Sequence, residues 1–506
     1  MNEPSPSKSA GAPRFGFTRT ADRALMLLAV LWIARLAVFA AVGVFQSDEC
    51  FHAWVSGWMA AHGSLPREIP GLYSGFAYFY PPLFHLLGAA WIRVFGADAL
   101  SQLNVVVTGA LLVAAWATAR ELAGRDAGRW AAALVMTSSG IAQYATRLYV
   151  EALSTLLAIL ALAALATLER RGRTRDALAL GVVSGLAWLA KPSALVLLAL
   201  WLAIAVVAVW RGRRALARSL VIATAVAIGV ASPYWLRDWL LFGSPLYPAG
   251  APDRHPLVDR LNQSTFSLSP LELTRQMGSS MGPWIAVAAL ATLVLGWRGR
   301  VRPALAIAIG VTVLLMALAP LQPMVEPRHL NPLVAVLAVL GAAGLAGATR
   351  ARPRVAAAIG VVLALAVAIT IVTLPGPRDE FDPDPAVTEA CAAVRRIVPA
   401  DATVLSLWTY DTFYDAGRNA TWPIPWGQRD HPVEMFLTTD CDSVAAACAR
   451  HRIGWVMMPA DTPGDPVFDG ANYPRSFVTC IGRLTGAGRA RVAWRSNEME
   501  LIQLLR

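Results

Sequence analysis

The chain has 506 residues, 56% of them hydrophobic and only 15% charged, with a mean hydropathy of +0.50. A soluble globule of that composition would have to hide more apolar surface than its interior holds, so the composition excludes a soluble protein and requires a membrane one. The net charge of +11 does not point to nucleic acid, because the basic residues sit in short loops between apolar runs rather than on one soluble face.

In chain order, residues 1–20 form a polar tail with Ser, Pro and Gly, carrying Lys8, Arg14 and Arg19, and are expected to be a disordered cytoplasmic segment. The first apolar run, 21–44, exceeds the core of about 7 to 15 residues of a signal peptide and is expected to remain as a first span. Arginine clusters follow at Arg120/Arg125/Arg129, Arg170/Arg171/Arg173/Arg175, Arg211/Arg213/Arg214/Arg218, Arg298/Arg300/Arg302 and Arg350/Arg352/Arg354, each between two apolar runs. The excess of basic residues in cytoplasmic loops places all of them inside. Working outward gives spans near 21–44, 100–120, 130–147, 149–168, 177–190, 193–210, 216–235, 283–297, 303–319, 330–348 and 355–374, about 11 helices in one all-α polytopic bundle.

The stretch Pro81 to Gly96 is apolar but short, and it carries His85 and Arg93. Were it to cross, every later arginine cluster would change sides, so an interfacial or re-entrant helix is expected. The outer face then owns the long stretches 46–99 and 237–282, together with short links around Arg147, Lys191 and residues 322–329.

Beyond Pro375 the composition changes to mixed sequence with thirteen basic and seventeen acidic residues and no spanning run. The organisation expected is therefore a tail (1–20), a transmembrane domain (21–374) and a small soluble extracytoplasmic α/β domain (375–506). Its strands are expected at Thr403–Trp408, Gly454–Pro459 and Arg491–Ser496, and a helix at Ser443–Arg452. Four of the five cysteines, Cys391, Cys441, Cys448 and Cys480, fall there, and two disulfides of open connectivity are expected, with buried free thiols as the alternative. Paired Cys-x-x-Cys or His spacing does not occur, so no metal site is predicted from these residues.

Ionisable groups at membrane boundaries are costly and so are candidates for function. Asp48 and Glu49 adjoin one another just past the first span; such a pair serves as a base, holds a divalent cation, or stands as an ordinary solvated loop pair. Arg147 and Glu151 lie one helical turn apart, where a local ion pair is the plain alternative. Lys191 is one of only two lysines in the chain, either a functional cation or a snorkelling anchor. Arg328 and His329 stand between prolines, where a guanidinium would grip a phosphate bidentately. A carboxylate facing cations beside the membrane suits a phosphorylated lipid substrate.

The order of these pieces resembles the integral-membrane C-type glycosyltransferases, in particular the branch with protein O-mannosyltransferases, the aminoarabinose transferase of lipid A and rhizobial galacturonosyl transferases. The matching pieces are Asp48-Glu49, the stretch Tyr80 to Ala89 with His85, the TRLYVEA stretch with Glu151, the GLAWLAKPSAL stretch with Lys191, Ser232 to Pro248, and Pro327 to Ala338. The resemblance implies transfer of a sugar from a polyprenyl-phosphate donor to a lipid, glycan or protein acceptor on the outer face. It implies Asp48 as catalytic acid-base residue with Glu49 beside it, and Tyr80, His85, Arg147, Glu151, Lys191, Arg328 and His329 as substrate-binding candidates. Glu151 stands where Asp is common in that family, and His329 where an aromatic is frequent. A cofactor is not specified; a divalent metal is permitted but not required. Membrane lipids are the expected surroundings. A bacterial inner membrane with the C-terminal domain outside is the expected location. Two other classes share the polytopic pattern: a lipid or solute transporter or flippase, and a non-catalytic subunit that presents the C-terminal domain.

Overall fold

The computed structural model describes residues 17–43, 45–72, 76–78, 80–245, 247, 283–288, 330–374, 385–421, 434–460 and 473–505. The tail through residue 16, most of the expected spans 283–297 and 303–319, the cluster Arg298/Arg300/Arg302, and both Arg328 and His329 lie outside the described residues.

Helix α1 (Phe17–Val42) is followed by α2 (Asp48–His62), then by a two-stranded ribbon of β1 (Glu68–Ile69) and β2 (Phe76–Ala77) and by α3 (Leu83–Phe95). At 1.5 Å per residue, the 13 residues of α3 reach about 20 Å, short of a hydrocarbon core of about 30 Å. That length fits a segment that does not cross. Helix α4 (Leu103–Ala123) is long and apolar enough to span, but the expected span 130–147 divides into α5 (Arg125–Met136) and α6 (Ser139–Ala145). The break falls at Thr137 and Ser138, where the Ser138 side chain accepts the Ile141 N–H at 3.2 Å and starts a new helix.

Next come α7 (Glu151–Arg171), α8 (Thr174–Ala190), α9 (Leu195–Trp210) and α10 (Arg214–Phe242). Helix α8 stops before Lys191, the residue preceding Pro192, which proline disfavours in helical geometry. Helices α8 and α10 approach through Gly181 and Gly185, where a Cβ would run into Ala223, Val226, Ala227 and Val230. The expected span 216–235 continues to Phe242, so Arg237 and Asp238 belong to a helix rather than to the outer loop. Residues 283–288 are helical. Helices α11 (Asn331–Thr349) and α12 (Pro353–Thr373) each carry proline in the first turn, where its missing N–H has no intrahelical partner to lose. Among the described residues, seven helices are long and apolar enough to cross a membrane.

Ion pairs gather the arginine-rich ends. Asp22 at the start of α1 meets Arg125 and Arg129, Glu121 meets Arg170, and Glu169 meets Arg213 at 3.3 Å. Arg35, inside α1, donates to the Leu374 carbonyl at 2.7 Å and so closes the far end of α12.

The C-terminal part carries a five-stranded mixed sheet in the order β4-β3-β5-β7-β6, built from β3 (Thr403–Ser406), β4 (Asn419–Thr421), β5 (Ile453–Pro459), β6 (Ala490–Arg495) and β7 (Met499–Leu504). Strand β3 runs parallel to β4 and β5, while β7 pairs antiparallel with β5 and β6. Residues of β5 alternate between two cores. Val456 and Met458 pack against the helices Cys441–Arg450 and Arg475–Gly486, whereas Trp455 and Met457 pack against the helix Pro385–Ile397. This double burial explains why β5 is an unbroken apolar run. It also corrects the expectation of two disulfides: Cys441 bonds Cys480, but Cys391 and Cys448 are free because they lie in different cores, on opposite faces of the sheet.

The sheet meets the segment between α2 and α3 directly. The Ala420 N–H donates to the Gly71 carbonyl at 2.8 Å, and Gly71 has a φ of 78° with Asn419 where a Cβ would sit. Rings interlock beside it, Phe51 with Tyr410, Trp54 with Phe413 and Phe45 with Tyr414.

Candidate functional site

The start of α2 brings both candidate acids to the end of the bundle opposite the arginine-rich one. Ser47 has a φ of 50°, uncommon for a residue with a side chain, and its N–H donates to Asp411 Oδ1 at 3.0 Å. Asp48 is half-buried. Glu49 is 3% exposed, with Arg147 Nε donating to Oε2 at 3.0 Å and the Leu148 N–H donating to Oε1 at 2.6 Å. Burial pushes its pKa up to about 7, against the Arg147 charge and the Leu148 and Gln46 backbone N–H groups, which pull it down. Asn104 pins the link between α6 and α7 by donating to the Arg147 and Tyr149 carbonyls at 2.5 and 2.6 Å.

Glu151 opens α7 and receives Lys191 Nζ at 2.6 Å from the end of α8. The local pairing of Arg147 with Glu151 is thereby replaced by two pairs between elements, Arg147 with Glu49 and Lys191 with Glu151. Arg147 precedes α7 and faces α2, whereas Glu151 begins the helix and faces α8, so one turn of sequence separates two partners.

Tyr80 and His85 sit behind α2. His85 is 1% exposed; its Nε2 lies 2.8 Å from His52 Nδ1 and its Nδ1 lies 2.8 Å from the Tyr78 hydroxyl. Burial, with His52 adding to it, lowers the His85 pKa, so the ring is neutral and offers one donor and one acceptor to these two partners. The Tyr80 ring packs on Phe51 at 4.7 Å, and its carbonyl accepts the Tyr234 hydroxyl at 2.5 Å. Arg237 donates to the carbonyls of Tyr78 and Pro66 at 3.0 and 2.9 Å and to Asp238 at 2.8 Å, tying α10 to the segment between α2 and α3.

The structure thus brings together Asp48, Glu49, Arg147, Glu151, Lys191, Tyr80 and His85, while Arg328 and His329 fall outside the described residues. Sequence reasoning passed over His52, Tyr78, Arg237 and Asp411. His52 had a signal, three residues after Glu49 on the same helix face; Asp411 had none, because its contact with Ser47 joins distant parts of the chain. A cation beside Glu49 would compete with Arg147 for its carboxylate.

The sequence profile of the Alg9-like mannosyltransferase family matches residues 26–376. No curated protein matches by sequence. Among solved structures, ArnT from Cupriavidus metallidurans bound to undecaprenyl phosphate is similar with a TM-score of 0.66 at 12% identity, over 96% of this chain and 98% of that one. AglB from Archaeoglobus fulgidus, an archaeal oligosaccharyltransferase in complex with an inhibitory peptide and a dolichol-phosphate, is similar with a TM-score of 0.67 at 13% identity, over 92% of this chain and 72% of that one.

Proposed function

Because the chain belongs to the Alg9-like mannosyltransferase family, and is on that ground a membrane glycosyltransferase, we propose that it moves a hexosyl or pentosyl unit from a polyprenyl-phosphate donor to a lipid, glycan or protein hydroxyl on the outer face. Two proteins of the same fold holding isoprenoid phosphates support this donor class. The division into residues 1–20, 21–374 and 375–506, a bacterial inner-membrane location and an extracytoplasmic C-terminal part belong to the same proposal.

The observation that carries the chemistry is the engagement of both Glu49 oxygens, one by Arg147 and one by Leu148. Glu49 is thereby a positioning group, and Asp48, in the first turn of α2 where the resemblance places the catalytic acid, is assigned as general base. It takes the acceptor hydroxyl proton as the oxygen attacks the anomeric carbon, and the bond to the lipid phosphate oxygen breaks on the opposite side. Direct attack inverts the anomeric centre and leaves no sugar bound to the enzyme. Arg147 and Lys191, with Arg328, supply cations for the departing phosphate. Tyr80 lines the donor side. His85, with both ring nitrogens occupied, acts through His52 as a positioning residue.

The test is incubation of the purified protein with lipid-linked sugars. Free polyprenyl phosphate released only when acceptor is present is the expected result. Lipid movement across a vesicle without sugar transfer would favour a flippase instead.

A further inference from the structure

We propose that Cys50, Asp411 and Asp415 form a zinc site that fastens the C-terminal α/β part to the first outer helix, next to Asp48. One ligand atom from each of the three residues lies within 4.8 Å of the others. Cys50 is on the first turn of α2; Asp411 lies within the helix Thr409–Tyr414 and Asp415 follows its last turn, four residues on, so both carboxylates lie on one side of a single turn.

The environment of the three groups calls for a cation. Cys50 is fully buried, and among the described residues its thiol has no hydrogen-bond partner while it faces two carboxylates. Asp411 is 4% exposed, and the Ser47 N–H donates to its Oδ1. Burial disfavours charge on all three groups, the Asp411 charge adds to this at Asp415, and both carboxylates add to it at Cys50. Arg395 opposes this at Asp415, and the Ser47 and Asp411 backbone N–H groups and Arg147 oppose it at Asp411. A divalent cation would reverse the penalty for all three groups together.

The donor set selects the metal. A thiolate with two carboxylates suits zinc, whereas magnesium and calcium take oxygen donors throughout. A tetrahedral zinc holds its donors about 3.5 Å apart, so closure from the present separation needs side-chain rotation of about an ångström. Binding releases the Cys50 thiol proton to solvent. Since Cys50 stands two residues after Asp48, the ion would also hold the start of α2, including Ser47 at its positive φ. The zinc site does not depend on Asp48 being the base.

Protein purified in detergent, loaded with Zn²⁺ and freed of loose metal by gel filtration, is expected to retain about one zinc per chain by elemental mass spectrometry. Retention is expected to fall at least about fivefold in Cys50→Ser and in Asp415→Asn, and to stay unchanged in Asp48→Asn and Cys448→Ser. Loading with Co²⁺ should give a near-ultraviolet thiolate-to-cobalt band in the wild type and in Cys448→Ser, which keeps the test decisive if the Cys50 variant misfolds. Zinc retained by Cys50→Ser or Asp415→Asn, zinc lost in Asp48→Asn, or a wild type that holds neither zinc nor a cobalt-thiolate band would overturn the proposal.

Discussion

The two ends of the helix bundle use ion pairs in opposite ways. At the arginine-rich end, the side chains of Arg170 and Glu121 are 47% and 36% exposed, and those of Arg213 and Glu169 are 49% and 24% exposed. At the other end, Arg147 and Glu49 are 12% and 4% exposed, and Lys191 and Glu151 are 14% and 2% exposed. Exposed pairs are screened by water and salt and contribute at most about 1 kcal/mol. A desolvated pair behaves differently, because removing one partner strands the other charge in a poor solvent. The exposed pairs therefore contribute little to stability, while the two buried pairs hold the ends of α2, α7 and α8 together.

Four substitutions sharpen this contrast, in decreasing order of effect. Asp48→Asn keeps the shape of the side chain but removes the proton acceptor, so turnover should fall by about 10² or more with donor binding nearly unchanged. Initial rates and donor titration measure the two quantities; near wild-type rates in Asp48→Asn with none in Glu151→Gln would move the base to Glu151.

Lys191→Ala leaves Glu151 uncompensated and should cost about 3 kcal/mol of stability, seen as a lower Tm in detergent. Glu151→Leu combined with Lys191→Met should recover part of that loss. A double variant no more stable than Lys191→Ala would mean that the pair contributes more than mutual compensation.

The third effect is on pH dependence. Because the folded state raises the Glu49 pKa from an ordinary 4.5 to about 7, the folded protein binds this proton more tightly than the unfolded chain does. Its contribution to stability is full below about 4.5 and is lost as pH rises through about 7. Asp411 and Asp415 are raised as well and act in the same direction, so the informative quantity is the difference between wild type and Glu49→Gln. The Tm of the variant should fall less steeply over this window; parallel curves would show that Glu49 is ionised throughout.

Arg170→Ala, at the exposed end, should shift stability by less than about 0.5 kcal/mol. A shift as large as that of Lys191→Ala would erase the distinction between the two ends.

Much of the site was legible because each candidate broke a local pattern. Lys191 is a lysine in a chain of arginines, and Asp48 and Glu49 are acids at the edge of an apolar run. Pairing was less legible. From spacing alone, Arg147 and Glu151 look like partners, and only the packing of α2 and α8 on either side of α7 separates them. Cysteine pairing followed the same rule: an even number of cysteines permits two bridges, but a sheet between Cys391 and Cys448 forbids the second. Helix α6 was absorbed into one long expected span because its start depends on a single Ser138 cap within continuous apolar sequence.

Amino-acid order by itself determined the membrane class, the short length of α3 and three of the five strands of the C-terminal sheet. These follow from transfer energies, segment length and two-residue periodicity, all local quantities. Tertiary structure alone decided that Asp411 meets Ser47, that Asp415 stands beside Cys50, and that Tyr78, His85 and His52 form one hydrogen-bonded chain. The physical reason is that hydrogen bonds and desolvation act over a few ångströms of space, and at these contacts neighbouring groups come from distant parts of the chain or from separate helices, where no periodicity records their meeting.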